Sequence, residues 1–320
     1  MDIYDIIIIG GGPGGIGAAV EAKLLGIDRV LLLEKSENHS STIRKFYKDR
    51  KRVDKDWQGR KVELIGNILF NDGTKESTLN YFDKLLSEHK IDSRFNCEVL
   101  EVRKDEEKDL FEVHTSCFNK PFLAKNVIVA IGKMGKPNKP SYKIPPSLKK
   151  VVNFNLDKCG KGEKILVVGG GNSALEYALD LSDSNDVTLN YRRDRITKAN
   201  PLNIEAINKA FDSGKVRAKL GMDIESLEDR EGRVKVNFKN KESEMFDRVI
   251  YAIGGTTPVE FLKKCSIKLD EKNRPIFNEN YETNIKGLFI TGDIAFDSGG
   301  SIALALNQAY KIVDHILDKK

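Results

Sequence analysis

Two glycine clusters in this chain have the spacing that cradles a pyrophosphate: Gly10-Gly11-Gly12-Pro13-Gly14-Gly15 and Gly169-Gly170-Gly171-Asn172-Ser173-Ala174. The first follows the apolar run Ile6-Ile7-Ile8-Ile9 and the second follows Ile165-Leu166-Val167-Val168. Each opens into a helical pattern, Ile16 to Leu25 and Ala174 to Leu181. A lone G-x-G-x-x-G is a weak signal, because glycines also make ordinary loops. Strand, turn and helix in that order are the context that a dinucleotide site requires. The missing side chains let backbone N–H groups approach the phosphates, and the helix N-terminus adds the positive end of its dipole. Two such turns imply two dinucleotides, and two dinucleotides imply electron transfer between them.

The end of the next strand in each unit separates the two ligands. Val30-Leu31-Leu32-Leu33 ends in Glu34-Lys35. A carboxylate at that place accepts hydrogen bonds from a ribose diol and repels a 2′-phosphate, which suits FAD or NAD(H). Its bland alternative is a solvated strand-end glutamate. Val187-Thr188-Leu189-Asn190 ends instead in Tyr191-Arg192-Arg193, with Lys198 further along. Guanidiniums offer planar, charge-assisted donors to a 2′-phosphate, so this second site is expected to prefer NADP(H). A basic, exposed strand end is the alternative there.

The elements that position these residues form an internal repeat. After the first glycine unit comes a hairpin pattern, Glu98 to Arg103 and Leu110 to Thr115, then a strand pattern from Val127 to Ile131-Gly132. After the second come strands near Asp223 to Glu228 and Arg233 to Phe238, then Arg248 to Ile253-Gly254. The repetition points to a duplicated α/β module. The proline-marked segments Lys136 to Pro140 and Thr256 to Pro258 are the natural crossings. The expected fold class is therefore α/β, with two Rossmann-like dinucleotide-binding domains and the NADP domain inserted in the FAD domain. Residues 1–136 and 255–320 would form the FAD domain, and 137–254 the NADP domain. A chain of 320 residues that is 40% hydrophobic can bury cores of that size.

Several classes are disfavoured. The uncharged stretch Ile6 to Val20 is glycine-dense and shorter than the roughly 20 apolar residues of a membrane span. The start has no basic region followed by a cleavage site, so a cytoplasmic protein without a membrane span is expected. Cys97, Cys117, Cys159 and Cys265 are scattered with no C-x-x-C, which resembles neither a disulfide framework nor a zinc site. Reduced, structural cysteines are expected. His39, His89, His114 and His315 have no ligand spacing, and no metal is expected.

Charge is concentrated in one segment. Between Arg44 and Lys61 stand Arg44, Lys45, Lys48, Arg50, Lys51, Arg52, Lys55, Arg60 and Lys61 against Asp49, Asp54 and Asp56. The local balance is +6, while the whole chain carries +5. Such a patch steers acidic partners, unless it is only a solvated loop. No nucleic-acid module accompanies it.

Near the C-terminus, Gly287-Leu288-Phe289-Ile290-Thr291-Gly292-Asp293-Ile294 precedes Gly299-Gly300-Ser301 and a helical pattern from Ile302 to Leu317. With this segment the whole chain resembles the two-dinucleotide-binding flavoproteins, within them the thioredoxin-reductase-like branch. The resemblance implies FAD at Gly10, Gly12, Pro13, Gly14, Gly15, Glu34, Lys35, Val99, Gly132, Gly292, Asp293 and Ile302. Asp293 would meet the ribityl chain, Val99 the adenine through its backbone, and the helix start at Ile302 the flavin pyrimidine. It implies NADPH at Gly169, Gly171, Asn172, Ser173, Arg192, Arg193, Lys198 and Gly254.

The chain departs from thioredoxin reductases in one respect. Their redox Cys-x-x-Cys precedes the second glycine turn, and the matching stretch Val151 to Gly162 holds Cys159 alone. Some relatives place a cysteine within the first glycine turn, where this chain has Gly14. Dithiol exchange needs an attacking thiolate and a resolving partner, so that route is expected to be absent. The stretch Ser36 to Lys61 is similar to bacterial flavodoxin:quinone reductases, near the ferredoxin(flavodoxin):NADP reductases. These imply an NADPH-dependent flavoprotein oxidoreductase in which the flavin, not a side chain, does the chemistry. The acceptor would be flavodoxin or ferredoxin docked at the Arg44–Lys61 patch, or a small quinone. The chain stops soon after Leu317 without the aromatic extension that covers the flavin in some ferredoxin reductases, so a different cover or a more open ring is expected. A homodimer, a thioredoxin-reductase-like disulfide reductase and an NADP(H)-sensing binding module all stay open.

Overall fold

The computed structural model of the chain describes residues 3–57, 60–133, 137–156, 158–255, 258–296 and 300–318. Lys136, Thr256 and Thr257 of the expected crossings, and Gly299, lie outside the described residues. The chain divides into two compact units, one of Met1–Gly135 with Thr257–Lys320, the other of Lys136–Thr256.

In the first unit Ile3–Ile9 is the central strand, parallel to Val30–Leu33 on one side and to Phe122–Val129 on the other. Asp92–Arg94 extends the sheet beyond Val30–Leu33. Ile6 to Ile9 and Leu31 to Leu33 are buried on both faces, which is why they read as continuous apolar runs rather than alternating ones. Phe122–Val129 divides its outer edge. Phe122 to Ala124 pair antiparallel with Leu110–Thr115, and Val127 to Val129 pair parallel with Leu288–Ile290. Val99–Asp105 closes the hairpin on Leu110–Thr115.

The registers decide where a ligand can sit. Ile9 lies opposite both Leu33 and Val129, and Val129 lies opposite Ile290. The next residues, Gly10, Glu34, Ala130 and Thr291, therefore leave the sheet together at its carboxyl edge, where open α/β sheets bind ligands. The helix Pro13–Leu24 covers one face beside the last helix, Ile302–Asp318. A Cβ at Gly17 would lie 2.8 Å from Leu306 Cδ2, so the small residue sets that close approach. Lys75–Glu88, started by a capping box between Thr74 and Ser77, joins the same core through Leu79, Phe82 and Leu85.

In the second unit Lys164–Val168 lies between Asp186–Tyr191 and Arg248–Tyr251, with Val216–Leu220 and Val152–Asn153 at the edges, all parallel. Val168 faces Asn190 and Tyr251, so the second glycine turn and the Tyr191–Arg193 strand end again share the carboxyl edge. The helices Asn172–Leu181 and Pro201–Asp212 bury Leu175, Ala178 and Ile207 against it. Ile224–Arg230, Arg233–Phe238 and Ser243–Phe246 form a separate antiparallel sheet. Its third strand is too short and polar to be visible as a pattern. The strand patterns Val127 to Ile131-Gly132 and Arg248 to Ile253-Gly254 end earlier than their apolar runs suggest, at Val129 and Tyr251, where the partner strands Ile3–Ile9 and Lys164–Val168 also end.

Candidate dinucleotide-binding sites

Gly10 has φ +107, and a Cβ there would meet the Ala130 carbonyl oxygen at 2.5 Å. A Cβ at Gly15 would lie only 1.9 Å from the Gly10 carbonyl oxygen. These two glycines make the tight turn and the close packing of helix on strand. Gly12 serves a different purpose. The nearest atom to a Cβ there is the Ala130 oxygen at 4.0 Å, so its face is open, and Pro13 starts the helix behind it with a φ already suited to a first helical position. A pyrophosphate fits this cradle.

Glu34 is buried and already accepts two hydrogen bonds. Its Oε2 takes one from the Gly11 amide at 2.6 Å and its Oε1 one from Ser36 at 2.8 Å. A carboxylate has about four acceptor positions, which leaves room for a ribose diol. Lys35 beside it is exposed, and Val99 is buried in its hairpin. Gly132 and Gly292 both have positive φ and nothing within 4 Å of a Cβ, so both present bare backbone. Burial pushes the Asp293 carboxyl above the usual carboxylate range, and Lys133 opposes the shift. A Cβ at Gly300 would meet Asp293 Oδ1 at 2.4 Å, so the backbone entering the last helix packs directly on this carboxyl. Ser301 caps that helix by accepting the Leu304 amide at 3.2 Å, and Ile302 begins it.

Two supports escaped the sequence reading. Gln308 is buried, and its Oε1 accepts from the Gly292 amide at 2.8 Å and from Thr291 Oγ at 3.2 Å, which fixes the turn that carries Asp293. His39 is also buried. Its Nδ1 lies 3.0 Å from Ser40 Oγ, and its Nε2 lies 2.9 Å from Asp83 Oδ1 and 2.8 Å from Arg44 Nη2. Burial lowers its pKa and Asp83 pulls it back up. The Ser40 amide donates to the Gly11 carbonyl at 2.7 Å. The Gly11 peptide is thus held on one side by Glu34 and on the other by Ser40. A histidine with no spacing partner, and a glutamine inside a helix, give no sequence signal of such work.

In the second turn Gly169 has φ +151 and packs against the Ala252 carbonyl, while Gly170 sits against the ring of Tyr191. Gly171 has open space in front of it and precedes the helix that begins Asn172-Ser173. The Asn172 side chain turns away to accept from the Asn200 amide at 2.7 Å and from Asn203 at 3.2 Å, so only its backbone faces the cradle. Arg192, Arg193, Arg195 and Lys198 are exposed, and among the described residues none of them forms an ion pair. Arg195, absent from the sequence expectation, adds a third guanidinium. The Arg193 carbonyl accepts from Gly221 at 3.0 Å, which anchors the strand end. Gly254 is tied at 2.8 Å to the Asn138 amide.

The cysteines correct one expectation. Cys97 and Cys117 are joined in a disulfide with Cα atoms 5.1 Å apart, rather than reduced. Val99 pairs with Thr115, and two positions outward in that ladder stand Cys97 and Cys117. Farther in, Glu101 pairs with His114 and Val102 with Val113, one residue out of step. A bulge at Leu100 therefore brings the two cysteines opposite each other, and alternation of residue types does not reveal a single-residue bulge. Cys159 lies outside that disulfide and is half-buried; Cys265 is buried, and burial pushes its thiol up to about 12.

The basic segment is less positive in space than along the chain. It starts within the helix Ser41–Phe46 and includes a short strand, Arg52–Val53; Val53, and Ile43 just before the segment, lie in the core. Four further acids fold against it. Arg44 reaches Asp83, Arg52 reaches Asp72 beside Asp54, Lys61 reaches Glu63, and the Arg50 amide donates to Glu76. Lys45, Lys48 and Arg50 remain exposed. Among the described residues no helix is long and apolar enough to cross a membrane.

The profile of the pyridine nucleotide-disulphide oxidoreductase family matches residues 7–292. A ferredoxin–NADP reductase of Pelagibacter ubique (strain HTCC1062) is 28% identical over 91% of this chain and 83% of its own length. A bacilliredoxin reductase of Bacillus subtilis (strain 168) is also 28% identical, over 90% of this chain and 89% of its own. The crystal structure of T. acidophilum thioredoxin reductase superposes with a TM-score of 0.80 at 19% identity, covering 100% of this chain and 99% of that one. The chain thus belongs to the pyridine nucleotide-disulphide oxidoreductase family, as an NAD(P)H-dependent flavoprotein oxidoreductase with a thioredoxin-reductase-like α/β fold.

Proposed function

We propose that the chain passes electrons from NADPH through FAD to an outside acceptor, a ferredoxin or flavodoxin before a quinone, with no protein dithiol in the path. One observation carries this reading. Two glycine turns lie at sheet edges whose neighbouring strand ends have opposite charge, Glu34 in one and Arg192-Arg193 in the other, while the stretch Val151 to Gly162 before the second turn holds Cys159 without a second cysteine. The likeness to a ferredoxin–NADP reductase supports the acceptor class.

FAD, when bound, supplies hydride acceptance together with the release of electrons singly or in pairs. Gly12 and the helix start at Pro13 would hold its pyrophosphate, and Glu34 its adenosine ribose. Asp293 would hold the ribityl chain, kept in place by Gln308 through Gly292. The Ile302 helix start would face the pyrimidine, where the helix dipole favours negative charge. In the second unit Gly171 and the amides of Asn172 and Ser173 would receive the NADPH pyrophosphate. Arg192, Arg193 and Lys198 would take its 2′-phosphate, as Arg195 could from the same loop.

The likeness to a bacilliredoxin reductase favours disulfide reduction as a second reading. Gly14 opposes it. A Cβ there would already lie 3.3 Å from both the Gly292 amide and Thr291 Cγ2, which leaves little room for a thiol in the first turn.

The exposed cations of the Arg44–Lys61 segment would dock an acidic carrier. Because four outside acids offset part of the charge, steering should be moderate and screened over about 8 Å at physiological ionic strength. Reduction of ferredoxin or flavodoxin by NADPH should slow with added salt, and reversing Lys45, Lys48 and Arg50 to Glu should reproduce that slowing at low salt. Reduction of a neutral quinone should change little in either case, and Cys159→Ser should leave all three acceptors unaffected. Loss of turnover in Cys159→Ser with flavin retained would favour the disulfide reading; carrier rates indifferent to salt and to the reversal would remove the docking surface.

A further inference from the structure

We propose that Cys97–Cys117 is a thiol–disulfide exchange site, opened by dithiol reductants, whose state sets how tightly the first unit holds the adenosine end of its dinucleotide. The proposal rests on the reading of Glu34 as a ribose ligand; the exchange itself does not.

The two sulfurs differ in access. Cys117 lies in an exposed turn after its strand, whereas Cys97 is only 1% exposed. An incoming thiolate can therefore reach Cys117 and not Cys97. It would attack Cys117 Sγ, and the bond to Cys97 would break with its electron pair on the Cys97 sulfur, which takes up a proton. The reductant's second thiol would then attack its own sulfur in the mixed disulfide and release Cys117 as a thiol. The protein pair gains two electrons and two protons, and the dithiol loses them as it closes to a disulfide. A low-molecular-weight disulfide of the same class reverses the sequence.

What the bond holds in place gives the site its consequence. The Glu34 amide donates to the Arg94 carbonyl, Asn96 donates to the Ser36 carbonyl, and Cys97 donates to the Glu34 carbonyl, each at 2.9 Å. Residues 94–97 are thus the outer wall of the strand end that carries the Glu34 carboxylate. Regular pairing stops at Arg94, and Asn96 sits in the left-handed region at φ 53, so this wall is a loop rather than a strand. Its other side is fastened to the hairpin by two hydrogen bonds, Glu98 amide to Ser116 Oγ at 3.0 Å and Ser116 amide to the Glu98 carbonyl at 2.8 Å, and by the disulfide. The disulfide is the covalent part of that fastening. Once it is reduced, the wall keeps its hydrogen bonds and the packing of Cys97 in the core but loses the covalent tie to the hairpin, and ligand binding must order it again.

The test uses the full-length flavin-loaded protein. After incubation with oxidised dithiothreitol, alkylation in denaturant followed by peptide mass analysis should label Cys159 and Cys265 alone. After reduced dithiothreitol it should label all four cysteines. The Kd for FAD, measured by flavin fluorescence, should rise about tenfold on reduction, the size expected when one or two residues must be ordered on binding, and should return on reoxidation. Cys117→Ser, at an exposed position, should show the weaker Kd under both conditions. Alkylation of Cys97 and Cys117 after the oxidising step would overturn the site. A pair that cycles while the FAD Kd stays constant would overturn its link to Glu34. Failure of every form to bind FAD would defeat the reading of the first turn and the link with it, and the cysteine labelling would tell that failure apart from loss of the exchange site.

Discussion

Gly12→Glu should yield a folded protein that carries no flavin. The backbone at Gly12 has φ −83, which any residue can adopt, and a Cβ would be no nearer than 4.0 Å to another group. The new side chain would therefore enter the open face in front of the turn without disturbing the fold. A pyrophosphate there would meet a carboxylate at about 5 Å, and at an effective dielectric near 20 each such pair repels by about 3 kcal/mol. That corresponds to more than a hundredfold loss of affinity. Gly15→Val is the contrasting variant, because its Cβ would collide with the Gly10 carbonyl at 1.9 Å and so break the packing of helix on strand. The first variant should keep its circular dichroism and thermal transition but lose the visible absorbance of bound flavin. The second should lose both. Flavin retained at full stoichiometry by Gly12→Glu would remove FAD from this turn.

The double variant Arg192→Ala, Arg193→Ala should lose kcat/KM for NADPH by roughly a hundredfold or more while that for NADH changes less than about threefold. Both guanidiniums are exposed and unpaired among the described residues, so neither supports the fold through an ion pair. A hydrogen bond to a charged group contributes about 1.5–3 kcal/mol, and two such bonds to a 2′-phosphate account for the loss. NADH has no 2′-phosphate and should not register the change. The residual discrimination left by Arg195 and Lys198 would appear as a further loss when Arg195 is also replaced. Equal efficiency with NADPH and NADH in the unaltered protein would contradict the assignment.

How much of this was legible in the sequence depends on the range of the interaction. The glycine turns, Glu34 and Arg192-Arg193 are local features, each fixed by a strand and the residues just after it, and the structure brings them to the carboxyl edges of two parallel sheets. The hairpin Val99–Asp105 with Leu110–Thr115 and the helix Ile302–Asp318 were also visible as patterns. Long-range contacts were not. Gln308 beneath Gly292 and Asp83 beside His39 are brought in by helices whose packing no spacing rule encodes. The basic segment looked more positive than it is, because counting along the chain omits Glu63, Asp72, Glu76 and Asp83. The disulfide was missed for the subtlest reason, the single bulged residue that brings position 97 opposite 117.

The central claim, that electrons leave the flavin without passing through a protein dithiol, is tested most directly by an anaerobic reductive titration with NADPH. The absorbance of the flavin should bleach fully at about one equivalent of NADPH per FAD, since a flavin alone stores two electrons. Addition of oxidised ferredoxin, flavodoxin or quinone should then restore the absorbance at a rate fast enough for turnover, in Cys159→Ser as in the unaltered protein. Uptake of two equivalents, with reoxidation only by a disulfide substrate, would contradict the account and make the chain a disulfide reductase.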